Sequence, residues 1–367
     1  MRKGIFAFAE LLLNGHNPTL QMRAPSMKSS QKLSSNATMT IQRILITGSS
    51  GFYGRALIAA IRRRHPAATI LGLDVVAPGS DAPDQFELCD ITSPRLKEFC
   101  TSSRPDTIVH LAFVVNPQHN EMRMNKINVD GTRNLLDAVK AARPARLLVS
   151  SSATSYGAWA DNCIPLTEQH PLRPRTEYRY ANDKFQVEEM LHEYAATEPQ
   201  VKVSWTRPCM IYGPGMSNFI TALFTATPLL PLPGGDNSPM QFVHLDDVAN
   251  ATLKILESHA TGPFNVAPND WFTMKDLAHM RGRPALRIPF AACRGFTACW
   301  WALRLPIFTF PPSLWYFIRY PWIVSSKRLE HETGFQFRYS SREVIQQLLQ
   351  DAGVLRNPFR EFPKPDL

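Results

Sequence analysis

The stretch Arg43-Ile-Leu-Ile-Thr-Gly-Ser-Ser-Gly-Phe-Tyr-Gly-Arg55 sets the fold. Ile44, Leu45 and Ile46 form a short apolar run, as expected of a strand buried on both faces. Gly48, Gly51 and Gly54 follow, and then a helical pattern through Ala56, Leu57, Ala60 and Ile61. Strand, glycine turn and helix, in that order, are the context of a dinucleotide-binding fingerprint. Gly48 would turn the chain tightly, Gly51 would let backbone approach a pyrophosphate, and Gly54 would let helix and strand pack closely. The helix N-terminus supplies free N–H groups and partial positive charge to the phosphates. The expected phosphate loop is therefore Gly48, Ser50, Gly51, Phe52, Tyr53 and Gly54. Thr69 to Leu73 reads as a second buried strand, and Asp74 stands at its end. A carboxylate there accepts from both adenosine ribose hydroxyls and repels a 2′-phosphate. No Arg occupies Val75 or Val76, so the expected cofactor is NAD rather than NADP.

Length and composition bound the alternatives. The chain has 367 residues, enough for one large domain or two modest ones, with 44% hydrophobic and 19% charged residues. The net charge is +9, of which residues 1–38 carry +4, and no basic run is interleaved with aromatics. Nucleic acid is therefore not an expected partner. The six cysteines form no C-x-x-C and no pairing with His, which predicts neither disulfide nor metal site. Residues 1–38 are rich in Ser, Asn, Pro and Met, and Glu10 interrupts their apolar run. They are expected to be a disordered extension in a cytoplasmic protein, with an organelle leader as the alternative.

Strand–helix alternation continues from Asp74. Phe86 to Leu88 is a short strand leading to Asp90 and Ile91, where a carboxylate can bond the adenine amino group. Thr107 to Leu111 is a fourth strand, and Leu111, Ala112 and Phe113 lie at its carboxyl end, where open α/β sheets bind ligands. Asn128 precedes Gly131 in a helix running to about Ala142, and the glycine there predicts close packing or cofactor approach. Arg146 to Ser150 is a fifth strand. A long helix covers about Glu177 to Ala196, and a strand from Val201 ends in Pro208. The expected fold is α/β, a Rossmann-type doubly wound parallel sheet with a smaller C-terminal α/β substrate lobe. Residues 39–206 form the expected NAD-binding domain and 207–367 mainly the lobe, which includes the strand Phe264 to Val266. Residues 288–324 are apolar and aromatic, but their longest uncharged run, Leu305 to Ile318, is short and holds three prolines. That excludes a membrane span. The segment is expected to cap the lobe, with a substrate lid or peripheral membrane patch as the functional alternative.

Tyr180 and Lys184 stand four apart and so share a helix face. A nearby ammonium and a nicotinamide cation would favour the phenolate, letting Tyr180 exchange a proton with a substrate hydroxyl as hydride moves. Lys184 would also hold the nicotinamide ribose. Ser150-Ser151-Ser152 ends the fifth strand and offers a hydroxyl to the same substrate oxygen.

Thr47-Gly48-x-x-Gly51-Phe52-x-Gly54, Ser151-Ser152 with Tyr156-Gly157, Tyr180-x-x-x-Lys184, Arg207-Pro208 with Tyr212-Gly213-Pro214, and Phe242 to Ala249 together resemble the extended short-chain dehydrogenase/reductases. These are also called the NAD-dependent epimerase/dehydratase family. The resemblance spans about Ile41 to Val266. It implies Ser152, Tyr180 and Lys184 as the catalytic triad, and a homodimer built through the helices of Asn128 and Tyr180. Dehydratases of the family carry Asp-Glu after the catalytic hydroxyl residue, where this chain has Ala153-Thr154. Sugar-nucleotide epimerases present Arg-Asp-Tyr, whose Arg grips the diphosphate, where this chain has Met240-Gln241-Phe242, and Asn-Val where it has Met210-Ile211. These departures imply an oxidoreductase acting on a moderately apolar secondary alcohol or ketone. A sugar-nucleotide epimerase that retains NAD is the alternative, and a non-catalytic NAD sensor a second. Arg173, Arg175 and Arg179 are expected on a solvated face, Asp183 at the surface, and His244 beside an Asp246 helix cap.

Overall fold

The computed structural model describes residues 40–357, except 80, 217, 218, 228 and 305–309. The expectations for residues 1–38, and part of the uncharged run from residue 305, lie outside the described residues. Six strands, β1 (Arg43–Thr47), β2 (Thr69–Asp74), β3 (Gln85–Leu88), β4 (Thr107–His110), β5 (Arg146–Ser150) and β6 (Lys202–Pro208), join a seventh, Gly262–Val266, in one sheet. From the Gly262–Val266 edge its order runs to β6, β5, β4, β1, β2 and β3, and every pairing is parallel.

The apolar run after Arg43 shows why the sheet is covered on both sides. Ile44 and Ile46 enter one core cluster and Leu45 the other, all fully buried. Successive strand side chains point to opposite faces, so an unbroken apolar strand demands helices on both. One face is covered by α1 (Phe52–Arg64) and the helix Leu245–Glu257, tied together where Tyr53 Oη and Thr252 Oγ1 lie 2.6 Å apart. The other is covered by α2 (Arg95–Ser103), α4 (Gly131–Ala142) and α5 (Arg179–Thr197). Strand order reverses between β1 and β4, which opens a crevice at their carboxyl ends.

Two assignments change. Gly262–Val266 belongs to the large sheet, paired with β6 from Ser204 to Pro208, and not to the lobe. Its preceding helix packs on α1, so the chain leaves the sheet after β6 and returns to it. The Asn128 helix is also not one regular element. A short α3 (Glu121–Asn125) passes into a π-helical turn, Lys126–Asp130, before α4 begins. Gly131 is there for packing, since a Cβ at that position would lie 2.5 Å from Ile91 Cγ2.

The lobe is assembled from short pairs. Met210–Tyr212 runs parallel to Phe242–His244, and Leu230–Pro233 to Ala285–Ile288. His244, and not Asp246, caps the helix Leu245–Glu257, its Nδ1 accepting from the Asp246 amide at 3.1 Å. Among the described residues, no helix is long and apolar enough to cross a membrane.

Candidate active site

At the carboxyl ends of β1, β4, β5 and β6 lies a cavity of about 520 Å³, within the usual size range of small-molecule sites. The glycine loop forms one wall. Gly48 has φ +75°, and a Cβ on it would lie 2.7 Å from the Leu111 carbonyl carbon. A Cβ on Gly54 would sit 2.3 Å from the Gly48 carbonyl oxygen. The loop is thus closed against β4 and α1 as the spacing predicts. The N-terminus of α1 has no side-chain cap and no acid in its first turn, so its free amides are open to an anion. Asp74, at the end of β2, ties down the glycine loop, its Oδ2 accepting from the Ser50 amide at 3.0 Å and its Oδ1 from Val75 at 2.7 Å. These features fit a dinucleotide. Asp90 is partly committed, since its Oδ1 accepts from both the amide and the hydroxyl of Thr92.

The catalytic candidates converge on the cavity. Tyr180 and Lys184 project from α5, while Ser150 and Ser152 stand at and just beyond the end of β5. The Tyr180 phenol and the Ser152 hydroxyl are hydrogen-bonded to one another. Ser152 Oγ also accepts from the Thr154 amide at 3.2 Å, which fixes its direction. Lys184 Nζ donates to the Ser150 carbonyl at 2.5 Å and lies 2.9 Å from the centre of the Phe113 ring.

The electrostatics depart from the simple expectation that Lys184 lowers the Tyr180 pKa. Among protein groups, burial dominates and holds Tyr180 above its ordinary value, opposed by the Ser152 hydrogen bond and reinforced by Asp183. Burial likewise pulls Lys184 well below its ordinary value, against the attraction of Glu188 and Asp183. Tyr180 is therefore held as the neutral phenol, ready to donate. His110, buried and beside Lys184, is driven down to about 3 and stays neutral between Thr47 and Thr132.

Asn128 and Asp183 occupy other places than expected. Asn128 is buried behind the cavity wall, its Oδ1 accepting from the Val114 amide at 2.8 Å and its Nδ2 donating to the Val114 carbonyl and to Asp183. It therefore shapes the loop after β4. Asp183 is not at the surface: it is fully buried, bonded to Asn125 and Asn128 and paired with Arg179 at 3.0 Å. Arg175 is also no solvated residue. Its guanidinium lies 3.4 Å from the Trp159 ring and 4.0 Å from the Tyr316 ring, outside the cavity. Ser50, Asp74, Asp90, Ile91 and Ala112 do not line the cavity, whereas Leu111, Phe113 and Pro208 do.

A set of residues that the sequence did not reveal lies directly behind the triad. Glu188, one turn beyond Lys184, accepts from Ser151 Oγ at 2.5 Å, Trp205 Nε1 at 2.7 Å and Arg207 Nη2 at 2.5 Å. Arg207 in turn donates to Tyr156 Oη at 2.6 Å. Burial alone would lower the Arg207 pKa, but the Glu188 carboxylate outweighs it and the guanidinium stays charged. The i, i+4 spacing from Tyr180 through Lys184 to Glu188 is the only signal that marked Glu188.

Beyond Ser152, Tyr180 and Lys184 the cavity wall is mostly apolar, with Asn116, Gln118 and Thr154 among its polar members. Met210 and Met240 stand where the resemblance would have placed Asn and Arg, and Ile211 where it would have placed Val. Gln241 is turned away, bonded to Val324 and Pro268. Leu314, Phe317, Ile318 and Trp322 close another side, so the aromatic segment is part of the cavity wall and not only a cap on the lobe. Among the described residues lining the cavity, Lys184 is the single cation and no Asp or Glu is present.

Residues 44–267 match the family described as the NAD dependent epimerase/dehydratase family. The chain belongs to that family. Its cofactor is NAD. UDP-glucuronic acid decarboxylase 6 of Arabidopsis thaliana is 27% identical over 290 residues, covering 72% of this chain and 80% of the relative. An uncharacterised protein of Mycobacterium tuberculosis is 22% identical over 324 residues, covering 85% of this chain and 84% of its own length. Among solved structures, the NAD complex of dTDP-glucose 4,6-dehydratase from Bacillus anthracis superposes with a TM-score of 0.65 at 19% identity, covering 85% of this chain and 96% of that one. The extended short-chain dehydrogenase fold expected from the motifs is thus established, and the protein is an enzyme of that family.

Proposed function

We propose that this family member is an NAD-dependent oxidoreductase interconverting an apolar secondary alcohol and its ketone. The observation that carries this is the cavity wall: it is mostly apolar and offers no cation other than Lys184, which is held by the Ser150 carbonyl. A nucleoside diphosphate brings two negative charges, and burying them without a paired cation or a set of donors is costly. Methionine and aromatic side chains instead favour a hydrocarbon skeleton.

Bound NAD supplies the hydride acceptor or donor. Ser152 hydrogen-bonds the substrate oxygen and shares that oxygen with Tyr180. In ketone reduction the neutral Tyr180 phenol gives its proton to the oxygen as charge develops there, and in alcohol oxidation the phenolate takes it back. Lys184, held by the Ser150 carbonyl, sits where its charge stabilises that phenolate. The dry wall keeps water from competing for the proton.

The test is to incubate purified protein with NAD and a panel of aliphatic and cyclic secondary alcohols, following reduced nicotinamide, with UDP-glucose and UDP-glucuronate in parallel. Turnover confined to the apolar alcohols is expected. The named activities of the Arabidopsis and Bacillus relatives support the alternative, a sugar-nucleotide enzyme that retains its NAD. Stoichiometric NAD surviving purification, together with conversion of a UDP-sugar and no net reduction, would establish it instead.

A further inference from the structure

The helix Phe290–Ala302 departs from the pattern of a surface helix. Its thirteen residues carry a single charge, Arg294, and bury only Cys293 and Thr297. The remainder of its surface is small or apolar, with Ala291, Ala292, Gly295, Ala298, Cys299 and Ala302 exposed. Phe296 is 55% exposed, and Leu303, next after the helix, 68%. A helix buried on one stripe normally turns charge to water on the other.

This apolar surface touches the loop that borders the cavity. Trp301 stacks on His119 with ring centroids 3.8 Å apart. His119 lies on the loop after β4, and Val115 of that loop both lines the cavity and is 43% exposed. Met122, just beyond, is 83% exposed.

Charge identifies what covers the surface. From Leu277 to Leu329 the sequence contains eight Lys and Arg residues and no Asp or Glu. Arg283 and Arg287 precede the helix, and Arg304 follows it, all exposed. A protein partner of ordinary composition would not require both ends of an uncharged helix to be cationic and the whole segment free of acids. An anionic bilayer does: apolar side chains enter the acyl boundary while flanking arginines meet lipid phosphates. We propose that the helix Phe290–Ala302 and its flanking arginines dock this protein peripherally on an anionic lipid surface, with the cavity mouth beside the contact. Entry of an apolar substrate from the bilayer rests on the function proposed above, whereas the docking does not.

Flotation of the full chain with phosphatidylcholine vesicles, with and without phosphatidylserine, tests this. Binding to the anionic vesicles alone, falling as salt rises, is expected. Arg304→Asn, which suits the left-handed backbone at φ 54°, should weaken it about fivefold. Leu303→Asp should weaken it by roughly tenfold or more. Both positions are exposed and outside the cavity, so the melting temperature and NAD affinity should not change. No binding to either vesicle overturns the proposal, as does binding that ignores both substitutions. A dimer in solution that Leu303→Asp dissociates, without vesicle binding, would assign the face to a second copy and overturn it too. Oxidation of a water-soluble short-chain alcohol without vesicles reports separately on the proposed reaction.

Discussion

Glu188→Gln isolates the charge behind the triad. The two side chains have the same shape, and the amide can still satisfy most of the donors. Its oxygen can take Trp205 Nε1 and Arg207, and its NH₂ can donate to Ser151 Oγ, whose hydroxyl rotates to accept. What disappears is the negative charge facing Arg207, whose side chain is only 3% exposed, while that of Glu188 is 0%. An uncompensated buried charge costs roughly 3–5 kcal/mol. For a folded unit spanning Thr38–Leu367 that lowers the melting temperature by roughly 4–7 °C. Replacing the pair by Glu188→Gln with Arg207→Met removes the stranded charge, so the double variant should recover much of the loss and the two changes should be far from additive. Differential scanning calorimetry of the two singles and the double measures this. A single-variant shift below about 2 °C, or additivity within about 0.5 kcal/mol, would refute the view that α5 is locked to β6 by this ion pair.

Tyr180→Phe should lower kcat by roughly 10²–10⁴-fold with NAD affinity unchanged, as steady-state kinetics and calorimetric titration would show, because only the proton-carrying oxygen is lost. Gly54→Ala forces a Cβ to within 2.3 Å of the Gly48 carbonyl oxygen, so α1 must withdraw; about 1–3 kcal/mol of stability and most NAD binding should go, and a variant binding NAD normally would show that the close approach is dispensable. Burial raises the Asp247 carboxyl from 3.8 to about 6, against hydrogen bonds from the Tyr339 and Arg338 amides. The folded protein therefore holds this proton more tightly than the unfolded chain, so stability falls as pH rises from about 4 to 6, by up to about 3 kcal/mol. Asp247→Asn cannot titrate and should flatten that part of a pH–stability curve; an unchanged slope would place its origin elsewhere.

The parallel sheet and the convergence of Ser152, Tyr180 and Lys184 on one cavity were legible because both rest on local spacing. Glycines three apart between a strand and a helix admit few structures, and Tyr180 and Lys184 had only to share a helix face. What escaped depended on contacts between distant segments. Gly262–Val266 is a short apolar strand like those of the lobe, and nothing within it says that it pairs with β6. Asp183 lies off the face that carries Tyr180 and Lys184, which is why it looked solvated. The π-helical turn at Lys126–Asp130 covers that second face and brings Asn128 to it. Arg175 is buried by Trp159 and by Tyr316, 141 residues further on, so no window of sequence could place it. Met210 and Met240 depart from a polar pattern already in the sequence, and both line the cavity together with Ile211.

Lys184 is seated on the Phe113 ring and the Ser150 carbonyl with its pKa held well below the ordinary value of 10.5. A lysine in that condition makes folding a proton-releasing reaction. Wherever the folded value is lower than the unfolded one, the unfolded chain carries more of the proton, and stability rises with pH through that interval. Folding is thereby coupled to the buffer: within that interval the calorimetric enthalpy of unfolding should differ between buffers of different ionisation enthalpy.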